Sequence, residues 1–470
     1  MPLVTVNVDV GSRGRTIPAD FDGFSIEVTD AAEKYLGVAG SPNTVFEQLL
    51  RNLGKAVIRI GGNSTDFSCW HPGSAPYPQG CAFTLTPRVL DGYMQASART
   101  GWSLIAGVNL AQNSATWASA YGSALAAAAS RTPGSSLIGF EFGNEPDLYS
   151  SSVLFDHHLI RPKGYSWPNL VADWKPYVTA FKGQASTSKF ALAGPAYDDS
   201  SDVWRDSYLK PWLQRVGAKN LGLLSVHEYP TYTCGGHHVT IAQLLASQLI
   251  TTYAQMAAGW QEVAKQSGLP LELGETNSTA CGGQDGVDNV FAATAWGLDW
   301  LFTNGQLGIR RINYHMDDAC YSAVFVDRKM QGGKIVYSNS VAPLYYAMYA
   351  FNTAAEGSSL LRTVTTSRAN VKAYAVRSAA RYVRVFVINK DLHAVGQVSV
   401  HLTSRMGDGS LLRIAAPGLA SKNVSYGGTT FDNATGRLRG APKTTPVAPD
   451  AHGDYDFMLG TATIAILTIR

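Results

Sequence analysis

Little in this 470-residue chain suggests a membrane, a nucleic acid or a metal. No apolar run approaches the ~18 residues that cross a bilayer, so no transmembrane helix is expected. The formal charge is only +3, and the tight basic pairs are Arg310-Arg311 and Arg328-Lys329. That excludes the clustered basic surface that phosphate backbones require. Five cysteines are too few for a disulfide scaffold and form no Cys-x-x-Cys, and no spaced His/Cys/Asp set suits zinc. No metal or organic cofactor is therefore expected. Internal repeats and low-complexity tracts are also missing. The start, Met1-Pro2-Leu3-Val4, has neither a charged head nor an apolar signal core. Either the chain is cytosolic or a leader has been removed. The five cysteines sit at expected loops, and Gly, Ser, Thr and Tyr are abundant, which favours secretion.

What is present is a large core: 45% hydrophobic and 16% charged residues. Residues 3–10 alternate apolar and polar, as a half-buried strand does. Strand-like runs then follow at 21–27, 57–62, 103–110, 137–145, 190–196, 221–229, 271–277 and 310–316. Helical patterns lie between or after them at 43–53, 86–100, 114–131, 169–182, 203–217, 240–268, 287–305 and 340–355. The 114–131 stretch is alanine-rich, and Pro87 stands where a helix start tolerates a missing N–H. Eight strands alternating with eight helices predict a (β/α)8 barrel over 13–356. Beyond 356 short strands and glycine turns predict an antiparallel β-sandwich over 357–470, joined by the strand within 1–12.

Two glutamates stand where barrel strands end: Glu145 in Gly143-Asn144-Glu145-Pro146 and Glu275 in Gly274-Glu275-Thr276-Asn277. Barrel chemistry sits at that end, and two carboxylates there can flank a glycosidic bond. Glu145 would be the general acid/base and Glu275 the nucleophile. Taken alone, Glu145 could equally cap the helix that Pro146 begins. Asn144 could donate to a sugar 2-hydroxyl. Glu272, three residues before Glu275, would face the other side of its strand. Glu141 would lie deeper on the Glu145 face as a buried, hydrogen-bonded group. Tyr197, after Gly194-Pro195-Ala196, is a further subsite candidate, and His227 reads as an orienting residue rather than a metal ligand.

The Asn-Glu pair on strand four and the glutamate on strand seven resemble clan A glycoside hydrolases. More narrowly, the chain resembles glycoside hydrolase family 79, the β-glucuronidase and heparanase group. The supporting stretches are Gly23-Phe24-Ser25-Ile26-Glu27, Arg59-Ile60-Gly61-Gly62-Asn63-Ser64-Thr65-Asp66, Gly143 to Tyr149, His227-Glu228-Tyr229-Pro230, Gly274 to Ser278 and Asn313-Tyr314-His315. The resemblance implies that Glu27 and Asp66 line the sugar subsite and that Tyr229 holds the nucleophile. It implies that Tyr314 and the backbone of Gly282 and Gly283 bind a glucuronate carboxylate. Here Ala280 stands where family members carry an aromatic, and Gly282-Gly283 comes one residue late. The expected activity is a retaining, exo-acting β-glucuronidase on glycans ending in glucuronic acid. The alternatives are an endo-acting heparanase-like enzyme, a β-xylosidase or arabinofuranosidase, and a non-catalytic carbohydrate-binding barrel. Residues 317–339, after strand eight, should lie over the active face. Cys69 and Cys81 bracket a short loop after strand two, and Cys234 and Cys281 fall in neighbouring loops after strands six and seven. Those pairs should form disulfides, with Cys320 left over.

Overall fold

The computed structural model describes residues 3–12, 14–71, 80–153, 158–198, 208–367 and 370–470. Eight parallel strands close a barrel in chain order: Asp22–Glu27, Val57–Gly61, Ser103–Val108, Ser136–Phe142, Ala191–Asp198, Leu223–Glu228, Leu271–Thr276 and Arg311–Met316. They are called strands one to eight below. Strand eight closes on strand one, with Tyr314 beside Phe24. Side-chain caps start four of the surrounding helices: Asn43, Thr86, Ser114 and Thr240 accept from the backbone N–H three residues on. The pattern expected at 240–268 is two helices, Ile241–Leu245 and Ser247–Ser267, because Ala246 between them is extended. Of the helix expected at 203–217, Leu209–Val216 is observed, and its first residues lie outside the described ones, as does residue 13.

The C-terminal strands form one sheet folded on itself, which also takes in Val4–Asp9. That strand runs antiparallel to Ser359–Ser367 but parallel to Gly396–Leu402, the exception in an otherwise antiparallel layout. Its alternation is plain, with Val4, Val6 and Val8 buried against Val385, Val400 and Leu467. Other residues of the sheet face the barrel. Phe386 and Tyr374 pack on Phe302 of helix Phe291–Leu307, at ring-centroid distances of 4.7 and 4.6 Å. This helix is buried nearly all round because it separates barrel from sheet.

An ion pair is sealed into that seam. Lys390 Nζ lies 2.5 Å from Asp299 Oδ2, both side chains are fully buried, and the Tyr374 hydroxyl donates to the other Asp299 oxygen. Asp299→Ala would strand the ammonium group out of water. It should lower the unfolding free energy by about 3–5 kcal/mol. A loss under about 1 kcal/mol in a denaturant titration would show that the seam does not depend on this pair.

Candidate active site

The C-terminal strand ends converge on one mouth. After strand four the chain turns through Gly143 at φ +77°, where a methyl group would strike the Tyr149 hydroxyl. Glu145 is itself left-handed, at φ +47°, a conformation costly for a residue with a Cβ. Its N–H donates to Ala196 O at 2.8 Å, which ties the turn to strand five. The side chain does not cap the following short turn, Pro146–Leu148. It instead meets His227 Nδ1 at 2.9 Å, on strand six. The helix-cap alternative is thereby overturned.

Strand seven carries a β-bulge. Its register against strand six slips between Leu273 and Glu275. The bulge adds one residue, so strict alternation fails. Glu272 therefore shares the barrel interior with Glu275 instead of facing away. It lies fully buried against Arg311 at 2.9 Å. Gly274 turns inward between them, where any Cβ would run into Ser225 Oγ. The extra residue is what brings Glu275 up to the mouth.

Arg59, fully buried on strand two, ties these groups together. Its Nε donates to Glu141 Oε1 at 2.6 Å and its Nη1 to Glu275 Oε2 at 2.5 Å. Its Nη1 also reaches Ser25 Oγ at 3.0 Å, and its Nη2 reaches Asn144 Oδ1 at 2.8 Å. The planar fork can serve several acceptors at fixed angles, which a lysine cannot. Tyr229 OH donates to the other Glu275 oxygen at 2.9 Å. His315 Nδ1 lies 3.3 Å from Glu275 and 3.0 Å from Ser25 Oγ. One ligand-type atom from each of Glu145, His227 and Glu275 lies within 4.8 Å of the others. Three such groups could hold a cation, but Arg59 and His315 already face Glu275 with positive charge.

The two glutamates have opposite electrostatics. Burial raises the Glu145 pKa well above the usual carboxylate value, and the charges of Glu275 and Asp198 add to this. Burial alone would also raise Glu275, but the charges of His315 and Arg59 and the Tyr229 hydroxyl outweigh it and lower its pKa. Burial works against a charge on His315, yet Glu275 and Glu27 raise it to about 9. His227 is kept neutral by burial and then by Arg59. The opposite shifts favour a proton on Glu145 over one on Glu275. Activity should fall on the acid side as Glu275 gains a proton and on the alkaline side as Glu145 loses one. Tyr229→Phe removes a bond that favours the Glu275 anion, so the acid limb should move to higher pH while the alkaline limb stays. An acid limb that does not move in the kcat/KM profile would dissociate Tyr229 from the Glu275 ionisation.

The other expected residues divide. Glu27 lies at the rim, accepting from Asn63 N at 2.9 Å and Ser64 N at 2.7 Å, with His315 Nε2 at 3.7 Å. Asn144 directs its amide oxygen to Arg59 and its Nδ2 to Asn63. Gly282 accepts from Cys320 N, so the Gly282-Gly283 turn rests on the chain leading to Tyr321. The Tyr321 ring lies 6.3 Å from Tyr229 and 6.2 Å from His315.

Three candidates stand elsewhere. Asp66 is buried, and its oxygens accept from the N–H of Leu110, Ala111 and Asn144 and from the Tyr149 hydroxyl, so it braces loops. Tyr314 points out of the barrel, because His315 points in, and its hydroxyl donates to Gly297 O. Tyr197 packs outward on Tyr208 and Trp260. Arg59, Ser25 and His315 join the site without having been expected there. Their signal was a charged or polar residue inside an apolar strand.

Cys69–Cys81 and Cys234–Cys281 are bonded and Cys320 is free. Of 317–339, the segment to Tyr321 borders the mouth, while Val324–Gln331 and Lys334–Val341 form a hairpin. A separate cavity of about 160 Å3, lined by Trp70, Leu85, Trp117 and Tyr121 together with Asn109 and Gln112, contains neither glutamate.

No family model matches the chain. It is 25% identical over 442 residues to a β-glucuronidase of Neurospora crassa, covering 82% of this chain and 74% of that protein. It is 28% identical over 325 residues to a β-glucuronidase of Aspergillus niger, covering 63% of this chain and 58% of that one, less than two thirds of its length. These relatives bear out the resemblance to glycoside hydrolase family 79. The fold is similar to that of a 4-O-α-L-rhamnosyl-β-D-glucuronidase from Fusarium oxysporum 12S, with a TM-score of 0.77 and 19% identity over 99% of this chain and 100% of that one. It is also similar to a family 51 arabinofuranosidase from Xanthomonas axonopodis pv. citri, with a TM-score of 0.70 and 14% identity over 100% of both chains.

Proposed function

We propose that this chain, a glycoside hydrolase, removes terminal β-D-glucuronic acid from glycans by double displacement with retention of configuration. One observation carries the reading: two glutamates at the ends of strands four and seven, with carboxylate oxygens within 4.8 Å and surroundings that push their pKa values in opposite directions. Carboxyl groups about 5–5.5 Å apart suit a covalent glycosyl intermediate, whereas inverting enzymes need about 6.5–9.5 Å for a water.

Glu145 gives its proton to the departing oxygen while Glu275, held ionised, attacks the anomeric carbon. Glu145 is then ionised and takes a proton from the incoming water, which releases the sugar and frees Glu275. Arg59 and Tyr229 hold one Glu275 oxygen each, which fixes the direction of attack. The names of the two fungal relatives support glucuronic acid in the glycone site. With Tyr314 turned outward, the glucuronate carboxylate would meet the Gly282-Gly283 turn and Tyr321, whose ring lies 6.3 Å from that of Tyr229. Exo action fits a chain without the basic clusters an endo-acting heparanase would need. A binding protein has no use for split protonation of two carboxylates. The loop disulfides fit an oxidising, extracellular setting. Among the described residues no helix is long and apolar enough to cross a membrane.

A chromogenic β-glucuronide should be hydrolysed at least about 100-fold faster, in kcat/KM, than the matching β-xyloside or β-glucoside, since the site's polar groups are unpaired without the carboxylate. Proton NMR of the first product should show the β-anomer. Preference for the xyloside, or an α-product, would refute the proposal.

A further inference from the structure

Beyond the catalytic pair, the chain after strand six forms one wall of an open groove of about 490 Å3, within the usual range for ligand sites. Pro230 and Thr231 in that wall directly follow Tyr229, whose hydroxyl touches Glu275. Tyr232 comes next, 51% exposed, with the His237 ring edge-on to it at 4.7 Å. Gln243, Gln248 and Tyr253 line the opposite wall. None of the lining residues is Asp, Glu, Lys or Arg.

Three bonds stiffen the Tyr232 wall. Thr231–Tyr232 pairs with Thr279–Ala280, Thr231 Oγ1 donates to Ser278 O, and Cys234 is bonded to Cys281. A wall held in place loses little entropy on binding. The catalytic pair sets which part of a substrate comes here. Glu275 is held from strands one, two and eight, through Ser25, Arg59 and His315, and on its other oxygen by Tyr229, just past strand six. Glu145 meets His227 of strand six alone among these groups, at 2.9 Å. The leaving oxygen must lie by Glu145, so the departing part of the substrate exits over the strand-six rim, where the groove begins.

We propose that this groove binds the uncharged sugar residues on the leaving-group side of the scissile bond, with Tyr232 as the face on which a pyranose ring stacks. The inference rests on Glu145 being the acid, as in the proposed function. Aromatic faces beside amide and hydroxyl groups suit a neutral sugar: the ring covers its C–H face and the amides take its hydroxyls. A sulfated or uronate-rich chain would meet no Lys or Arg among the described lining residues to offset its lost hydration. The substrate class is thus a neutral glycan capped by glucuronic acid.

The test compares a nitrophenyl β-glucuronide with glucuronosyl-capped neutral oligosaccharides of increasing length. With the wild type, kcat/KM should rise with length by about tenfold, the worth of one good contact. Tyr232→Ala should flatten the rise, and Tyr232→Phe, which keeps the ring, should retain it. A rise that survives Tyr232→Ala, or no rise in the wild type, overturns the proposal. A second arm does not depend on the glycone. A neutral oligosaccharide without glucuronate is titrated calorimetrically into Glu275→Ala protein with and without Tyr232→Ala. Binding lost on adding Tyr232→Ala supports the groove even if no glucuronide is cleaved, which would be a failure of the proposed function alone. Equal or absent binding, or equal binding of a sulfated analogue, refutes it.

Discussion

Glu275→Ala should abolish turnover of every β-glucuronide, whereas Glu145→Ala should spare the first step on substrates with activated leaving groups. Without the Glu275 carboxylate no covalent intermediate forms, so leaving-group quality cannot compensate. Without Glu145 the loss follows leaving-group basicity. An alkoxide needs protonation as it departs, and losing that help costs about 10²–10⁴-fold. A nitrophenolate needs little. The second step should still be slow with Glu145→Ala, because the same residue must deprotonate the incoming water. Azide needs no base, so it should rescue this variant and yield the β-azide. The α-azide from Glu275→Ala, together with Glu145→Ala losses independent of the leaving group, would overturn the acid assignment. The β-azide from Glu275→Ala would mean that the two roles are reversed.

Arg59→Met should damage fold and catalysis together. Arg59 is fully buried, and its loss leaves Glu141 and Glu275 facing each other without the cation that both touch. Removing one partner of a buried pair costs about 3–5 kcal/mol, which a denaturant titration would read. Glu275 would gain a proton more readily, so the acid limb of the kcat/KM profile should move upward. The nucleophile would also lose one of the groups that aim it. Removing a preorganised group of this kind costs about 10²–10³-fold in kcat. Arg59→Lys keeps the charge but cannot serve Glu141, Glu275, Ser25 and Asn144 together, so it should recover stability better than turnover. A folded Arg59→Met enzyme with near-normal kcat and an unmoved acid limb would contradict this account.

Period and punctuation made the barrel legible. Strand-like and helical runs alternate from 21 to 355, and short strands follow, because each element must present an apolar face at its own spacing. The catalytic pair could be read for a related reason. A glutamate directly after an apolar run stands at a strand's C-terminal end, and two of them on strands four and seven restrict the chemistry sharply. Cys69 and Cys81 bracket one short loop, and the second cysteine pair followed from loop order around the barrel. Neighbouring strands bring their loops together, as they do for Cys234 and Cys281.

Sidedness was not legible wherever alternation breaks or a turn intervenes. The bulge at Gly274 puts Glu272 and Glu275 in the same interior, and its only local mark is a glycine. Tyr314 and Tyr197 were expected at the mouth, but their side chains point to the outer layer. Asp66 has a motif neighbourhood that suits a subsite, yet its partners at 110, 111, 144 and 149 come from other loops. Local order along the chain therefore determined the barrel, its second sheet and the two glutamates, since these depend on spacing alone. Only the tertiary structure decided which glutamate keeps the proton. That difference arises from burial, from His315 and from Arg59, residues far apart in sequence that closure of the barrel brings within hydrogen-bond reach.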